Sequence, residues 1–166
     1  MVELGIESCE NQTLQQINRG HTFEDSALAI EKLAKWGIHN CAHLILGLPG
    51  EDREIILKQA KVISGLPVEN IKLHQLQIHS NTQMSIQYKK DPGSFHNYSV
   101  EEFVELIVDY LELLRPSIIV ERFVSESPAN LLIAPNWGIK NHVFVAKVEK
   151  RLKERDTWQG RLSQSG

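Results

Sequence analysis

The chain has 166 residues, 42% of them hydrophobic, and a formal net charge of −3, so it can bury an ordinary core and is most simply one soluble globular unit. Its acidic and basic residues are interleaved, with no basic stripe of the kind that grips a phosphate backbone, so nucleic acid stays open as a partner but unsupported. Cys9 and Cys41 lack Cys-x-x-Cys spacing and make no disulfide framework, which points to a reducing, cytoplasmic setting; no apolar run approaches the roughly 18 residues of a membrane span.

In chain order the pattern alternates strands and helices. Residues 2–6 (VELGI) predict a short strand, and Asn11 a helix start whose Leu14 and Ile17 share a face before Gly20 ends it. Thr22 with Asp25 makes a capping box; Phe23, Ala27, Ile30 and Ala34 recur at helical spacing, and Gly37 stands where a C-terminal glycine belongs. Residues 40–46 (NCAHLIL) read as a strand buried on both faces. Gly47-Leu48-Pro49-Gly50 turns the chain, and Glu51 and Asp52 lead a helix with Ile56, Ala60 and Ile63 on one side, their charge complementing its dipole.

The second half repeats the alternation. Residues 71–78 (IKLHQLQI) read as one strand, with apolar positions that change parity between 73 and 76, which a bulge or burial on both faces explains. Residues 82–98 predict a short helix and a loop around Asp91-Pro92-Gly93. Ser99 and Glu102 form a second capping box, opening a long helix that Pro116 stops. A strand over 118–123, a short apolar run at 131–134, a charged helix over 140–154 and a frayed tail complete the pattern.

Such alternation means right-handed crossovers and a parallel sheet, hence an α/β fold. Periodicity does not choose between an open doubly wound sheet and a segment of a (β/α) barrel; both place ligands at the strands' C-terminal ends. Those ends carry Glu7-Ser8, Gly47 to Glu51, Gln77 to His79 and Arg122. His39, Cys41 and His43 alternate along one strand, but same-face neighbours lie about 6.5 to 7 Å apart, too far to converge on one ion, so no metal ligand is assigned. The glycine turn is not read as a phosphate loop, because Glu51 and Asp52 would repel phosphate.

The segments Glu3-Leu4-Gly5-Ile6-Glu7-Ser8, Ile17-Asn18-Arg19-Gly20-His21 and Gly47-Leu48-Pro49-Gly50-Glu51, in that order, resemble the back half of a radical S-adenosylmethionine (SAM) domain. The resemblance is to the YhcC-like subgroup, related in its core to Elongator-type enzymes, and it extends through Leu131 to Pro135 and Arg155 to Gly160. It implies a partial, TIM-barrel-like (β/α) barrel of parallel strands over residues 1–124, an extension over 125–160 and the tail at 161–166. It also implies a fragment of an Fe–S oxidoreductase-type enzyme whose three-cysteine loop for a four-iron, four-sulfur cluster is not in this chain.

By that resemblance the intact parent would cleave SAM reductively to a 5′-deoxyadenosyl radical that abstracts hydrogen from a substrate. The fragment alone is expected to be inactive and to bind neither cofactor. Glu7, with Ser8 assisting, would meet the ribose hydroxyls; Arg19 would meet the cofactor carboxylate; His43 would stand at a ribose-ligand position; Ile45, Gly47 and Gln77 would approach adenine. Arg122 is a candidate for a cofactor or substrate carboxylate, with an ion pair to Glu121 or Glu126 as the alternative. A non-catalytic α/β interaction module is the alternative to the whole reading. The first strand, lacking a neighbour, is expected to leave a sticky edge and drive homodimer formation.

Overall fold

A computed structural model describes residues 1–128 and 130–163. The elements are β1 (Val2–Glu7), α1 (Asn11–Gln16), α2 (Phe23–Lys35), β2 (Asn40–Leu46), α3 (Arg53–Ser64), β3 (Asn70–Gln75), β4 (Ile78–His79), α4 (Gln83–Lys90), a 3-10 turn (Pro92–Ser94), α5 (Val100–Leu113), β5 (Ile119–Arg122), β6 (Leu132–Ala134) and α6 (Asn141–Glu154). Strands β1, β2, β3 and β5 form one sheet in that spatial order, every pair parallel.

That order decides what periodicity left open. Right-handed crossovers that always step in the same direction put their helices on one face, whereas a doubly wound sheet reverses direction and uses both. The sheet therefore has the progression of a barrel segment. Leu4, Ala42 and Ile71 lie in register, as do Leu44 and Leu73. With Ile6 and Leu46 they pack on Ile30 of α2, on Ile56, Ala60 and Ile63 of α3, and on Phe103, Ile107 and Tyr110 of α5. Because side chains alternate across a strand, Glu3, Gly5, His43, Ile45, Lys72 and His74 fall on the opposite face, which no helix of this core covers.

Local signals explain most boundaries. Both expected capping boxes form, at Thr22 with Asp25 and at Ser99 with Glu102, and Thr82 with Ser85 makes a third. Asp52, not Glu51, begins α3: its side chain accepts the Ile55 N–H at 2.9 Å. Glu51 is excluded from the helix and buried. Asn11 is the first residue of α1 and not its cap; its side-chain oxygen accepts the Phe23 N–H at 2.8 Å, tying α1 to the start of α2. Helix α1 stops at Gln16, before Gly20, where Asn18 takes a left-handed φ of 56°. The expected single strand over 71–78 is two strands in different sheets: the chain leaves the parallel sheet after Gln75, and Ile78–His79 pairs antiparallel with β6. The change of parity marks that departure.

The segment after residue 124 joins the same body. Helix α6 places Phe144 and Val148 in the main core. Beyond it, Arg155 to Gly160 forms a clasp over the end of α5. Arg155 reaches Asp109 at 2.6 Å and Glu112 at 3.1 Å, Thr157 donates to Glu112, and the Gln159 amide donates to the carbonyls of Arg115 and Ile118 at 3.0 and 2.8 Å. Gly160 has φ +82°, and a Cβ there would stand 2.2 Å from Pro116 Cγ, so conformation and space both demand glycine. The chain stays fastened to Leu162, whose N–H donates to Glu112 O at 2.7 Å. Residues 164–166 of the expected frayed tail lie outside the described residues.

Among the described residues β1 pairs with β2 alone, so no strand covers its outer edge. No helix there is long and apolar enough to cross a membrane.

Candidate cofactor site

The uncovered face of the sheet carries Glu7 at the end of β1 and His43 on β2. Glu7 closes β1 with φ 66°, where a bulge shifts the register between Gly5 and Glu7. A left-handed glutamate is costly, and such outliers cluster at ligand sites. Its carboxylate meets the Arg19 guanidinium at 3.4 Å, and Arg19 also donates to the Gly5 carbonyl at 2.6 Å. A Cβ on Gly5 would stand 2.6 Å from both the Arg19 and Glu7 side-chain ends, so the missing side chain is what lets this pair lie down over the strand. His43 is the register partner of Gly5 on β2. Its Nε2 approaches Glu3 Oε2 at 2.9 Å without the alignment of a hydrogen bond. Glu7, Arg19 and His43 thus come together at neighbouring parallel strands.

The other expected residues have other surroundings. Ser8 is fully buried on the far side of the corner, its hydroxyl donating to Glu51. Ile45 packs against a second apolar cluster of Leu48, Leu76, Ile78, Phe95 and Ala134, which crowns the end of the sheet. Gly47, at φ +88°, faces the Tyr98 ring, 3.1 Å from where its Cβ would be. Gln77 is spent on fastening a loop: it donates to Ser125 O at 3.0 Å and accepts from Ser127 Oγ at 2.7 Å. Arg122 ends β5, and neither expected partner takes it, since Glu121 contacts Lys72 and Asn70 while Glu126 accepts the Asn141 N–H. The alternating His39, Cys41 and His43 have separate surroundings: His39 meets Asn70 and Glu69, and Cys41 is buried.

Two residues escaped the sequence reading. Glu51 accepts the Ser8 hydroxyl beneath the Glu7 corner, and burial, opposed by that bond, pushes its carboxyl up to about 7. The corner and the glycine turn are therefore one unit. His74, on β3 opposite Ile45, lies 5.7 Å from the His43 ring; burial first, then the Arg122 charge, pushes it down to about 4 and keeps it neutral. Its signal in the sequence was a polar residue at the same parity as Lys72, on the face away from Ile71 and Leu73. A groove of about 810 Å³ beside Leu48, Phe95 and Tyr98 carries several carboxylates, but Asp52 and Glu102 there cap helices. It is a structural cleft between α3 and the 93–98 loop.

A parallel sheet that steps in one direction with its helices on one side, and with polar groups along its bare face, has the layout of a (β/α) barrel segment. The chain belongs to the radical SAM family: residues 1–62 match the Radical SAM superfamily and residues 68–154 match the Radical_SAM C-terminal domain. Among curated relatives it is 36% identical to YtqA of Bacillus subtilis over 98% of this chain and 50% of that one. It is 27% identical to YhcC of Escherichia coli K12 over 92% and 49%. A tRNA uridine(34) acetyltransferase of Methanocaldococcus jannaschii is 29% identical over 80% and 25%. The chain spans about half the length of the first two. The solved structure of Methanocaldococcus infernus Elp3 with an N-terminal deletion superposes with a TM-score of 0.82 at 25% identity, over 95% of this chain and 37% of that one.

The family implies SAM and an iron–sulfur cluster, and the residues here fit the two differently. Gly5 provides a cradle, and Glu7 and Arg19 a carboxylate and a guanidinium, that suit a nucleoside and a charged tail. The cysteines do not suit a cluster. Cys41 is buried with its thiol pushed up to about 11, Cys9 is raised further by burial, and no third ligand joins either among the described residues.

Proposed function

We propose that the face around Gly5, Glu7, Arg19 and His43 holds the nucleoside of SAM, and that in a protein of its relatives' length this chain is the nucleoside-binding half of a radical SAM enzyme. Glu7 carries the reading. A non-glycine residue at φ 66°, its carboxylate lying over a glycine, supports a ligand site more than a fold requirement. Glu7 would accept hydrogen bonds from the ribose diol, Arg19 keeps donors free for a carboxylate, and His43 would border the sugar on the next strand. When bound to a reduced four-iron, four-sulfur cluster, SAM supplies the family's hydrogen-abstracting 5′-deoxyadenosyl radical. The Fe–S oxidoreductase class expected for the parent rests on this reading. One relative acts by its name on tRNA, but the net charge of −3 and the lack of a basic stripe give this chain no phosphate-backbone footprint of its own.

Variants at Glu7 separate function from folding. Glu7→Gly keeps the left-handed backbone, relieves about 1 kcal/mol of strain and removes the carboxylate. It is expected to unfold at the same or higher urea concentration than wild type, yet to lose the ligand-observed NMR signal of adenosine. Glu7→Gln should keep that signal. Unchanged adenosine contact in Glu7→Gly defeats the assignment. Calorimetry on the isolated chain is expected to show no micromolar SAM binding.

Self-association is part of the same proposal. The free edge of β1 offers unpaired backbone groups beside the exposed Val2, and pairing with a second copy would satisfy them. Light scattering should report a dimer; a clean monomer across micromolar concentrations contradicts it.

A further inference from the structure

We propose that His74 and Arg122 together form a subsite for an anionic oxygen, a carboxylate or phosphate group, of the substrate. Three observations converge on it. His74 Nε2 is buried and has no hydrogen-bond partner among the described residues. A buried polar atom left unpaired is costly, so this nitrogen, one of several such atoms among the described residues, is a group that a ligand would satisfy. Arg122 makes no hydrogen bond or ion pair among the described residues, since both neighbouring carboxylates are engaged by other groups.

The third observation is register. Arg122 is the strand partner of Lys72, and His74 lies two residues further along the same face. With strands about 4.8 Å apart and same-face residues about 6.6 Å apart, the two backbones stand on a diagonal of about 8 Å, within reach of an arginine side chain. The depressed basicity of His74, partly due to Arg122, agrees with that proximity.

Lys72 does not compete, because Glu3 and Glu121 neutralise it. The remaining positive charge at this corner therefore belongs to Arg122. Its planar fork suits two oxygens of one group, and the neutral imidazole can donate a single N–H to the same group. The subsite lies on the face assigned to the nucleoside, one and two strands along from His43. Naming its ligand as part of the substrate rests on the proposed function; capture of an anion does not.

The test is NMR of the isotope-labelled chain, following the His74 ring at fixed pH during separate titrations with acetate and inorganic phosphate. A saturable His74 shift is expected with at least one of them, weakened at least tenfold in Arg122→Gln. Saturation by acetate alone defines a carboxylate subsite, and by phosphate alone a phosphate subsite. His74→Phe removes the unpaired nitrogen while filling the space. It should unfold no more easily than wild type and should abolish the saturable shift of the Arg122 guanidinium resonances. Absence of any saturable shift, or one that persists in Arg122→Gln, overturns the proposal. Glu7→Gly should leave these titrations unchanged, so failure of the nucleoside reading and failure of this one are told apart.

Discussion

Replacing Phe103 by alanine is expected to cost about 3–5 kcal/mol of folding stability, the largest effect of any substitution considered for this chain. Phe103 is fully buried on α5 and touches Tyr98, Trp137 and Phe144 at ring-centroid distances of 5.9, 5.2 and 5.6 Å. Trp137 and Phe144 are themselves stacked, 4° from parallel. The ring thus joins three separate pieces of chain: the loop before α5, the turn after β6, and α6. Its removal loses transfer energy and aromatic contacts, and the Trp137–Phe144 stack cannot easily collapse into the void. A domain's net stability is only about 5–15 kcal/mol, so the variant should be marginally folded. Urea unfolding followed by tryptophan fluorescence measures the difference. A loss below about 1 kcal/mol, within the range of surface substitutions, would mean the cluster is loosely packed.

Glu51→Gln is expected to reverse the pH dependence of stability and to stabilise the chain at pH 8. The folded carboxyl titrates at about 7 against an ordinary 4.5, so between those values the folded state holds a proton that the unfolded state has released. Stability from this group therefore falls as pH rises from about 4.5 to about 7 and stays low above it, a penalty of about 3 kcal/mol at most. His74 acts in the opposite sense. Its folded value of about 4 lies below the ordinary 6.5, so its contribution is full above 6.5 and is lost as pH falls toward 4.

In wild type the two slopes oppose each other across the shared window from about 4.5 to 6.5. In Glu51→Gln only the histidine slope remains, and stability should climb to pH 6.5 and then level off. The substitution keeps an acceptor for Ser8 and stays beside Gln59, whose amide has no hydrogen-bond partner among the described residues. Denaturation at pH 5 and pH 8 suffices: parallel changes in the two proteins would show that Glu51 is ionised like any surface acid.

The sequence was most legible where the signal was local. The boxes at Thr22 and Ser99, the stop at Pro116 and the apolar rhythm of NCAHLIL each concern residues within one turn or strand. Barrel-like progression was legible only through the resemblance, because strand order is a long-range property. At the site, Ser8 and Gln77 had partners no local rule reveals, 43 and 50 residues away. Glu51 and Asp52 look alike in sequence; one step of helix phase made Asp52 a cap and buried Glu51. His74 had a readable face, since it shares the parity of Lys72 opposite Ile71 and Leu73, but no local rule says what stands on that face.

The one-sided sheet has a consequence for how this chain can vary. On β2, Ala42, Leu44 and Leu46 answer to the helices, while His43 and Ile45, interleaved with them, do not join that core. Adjacent letters of one strand are thus under separate selections, one for holding together and one for what is held. A family built on this plan can exchange the second set for new chemistry without renegotiating the first.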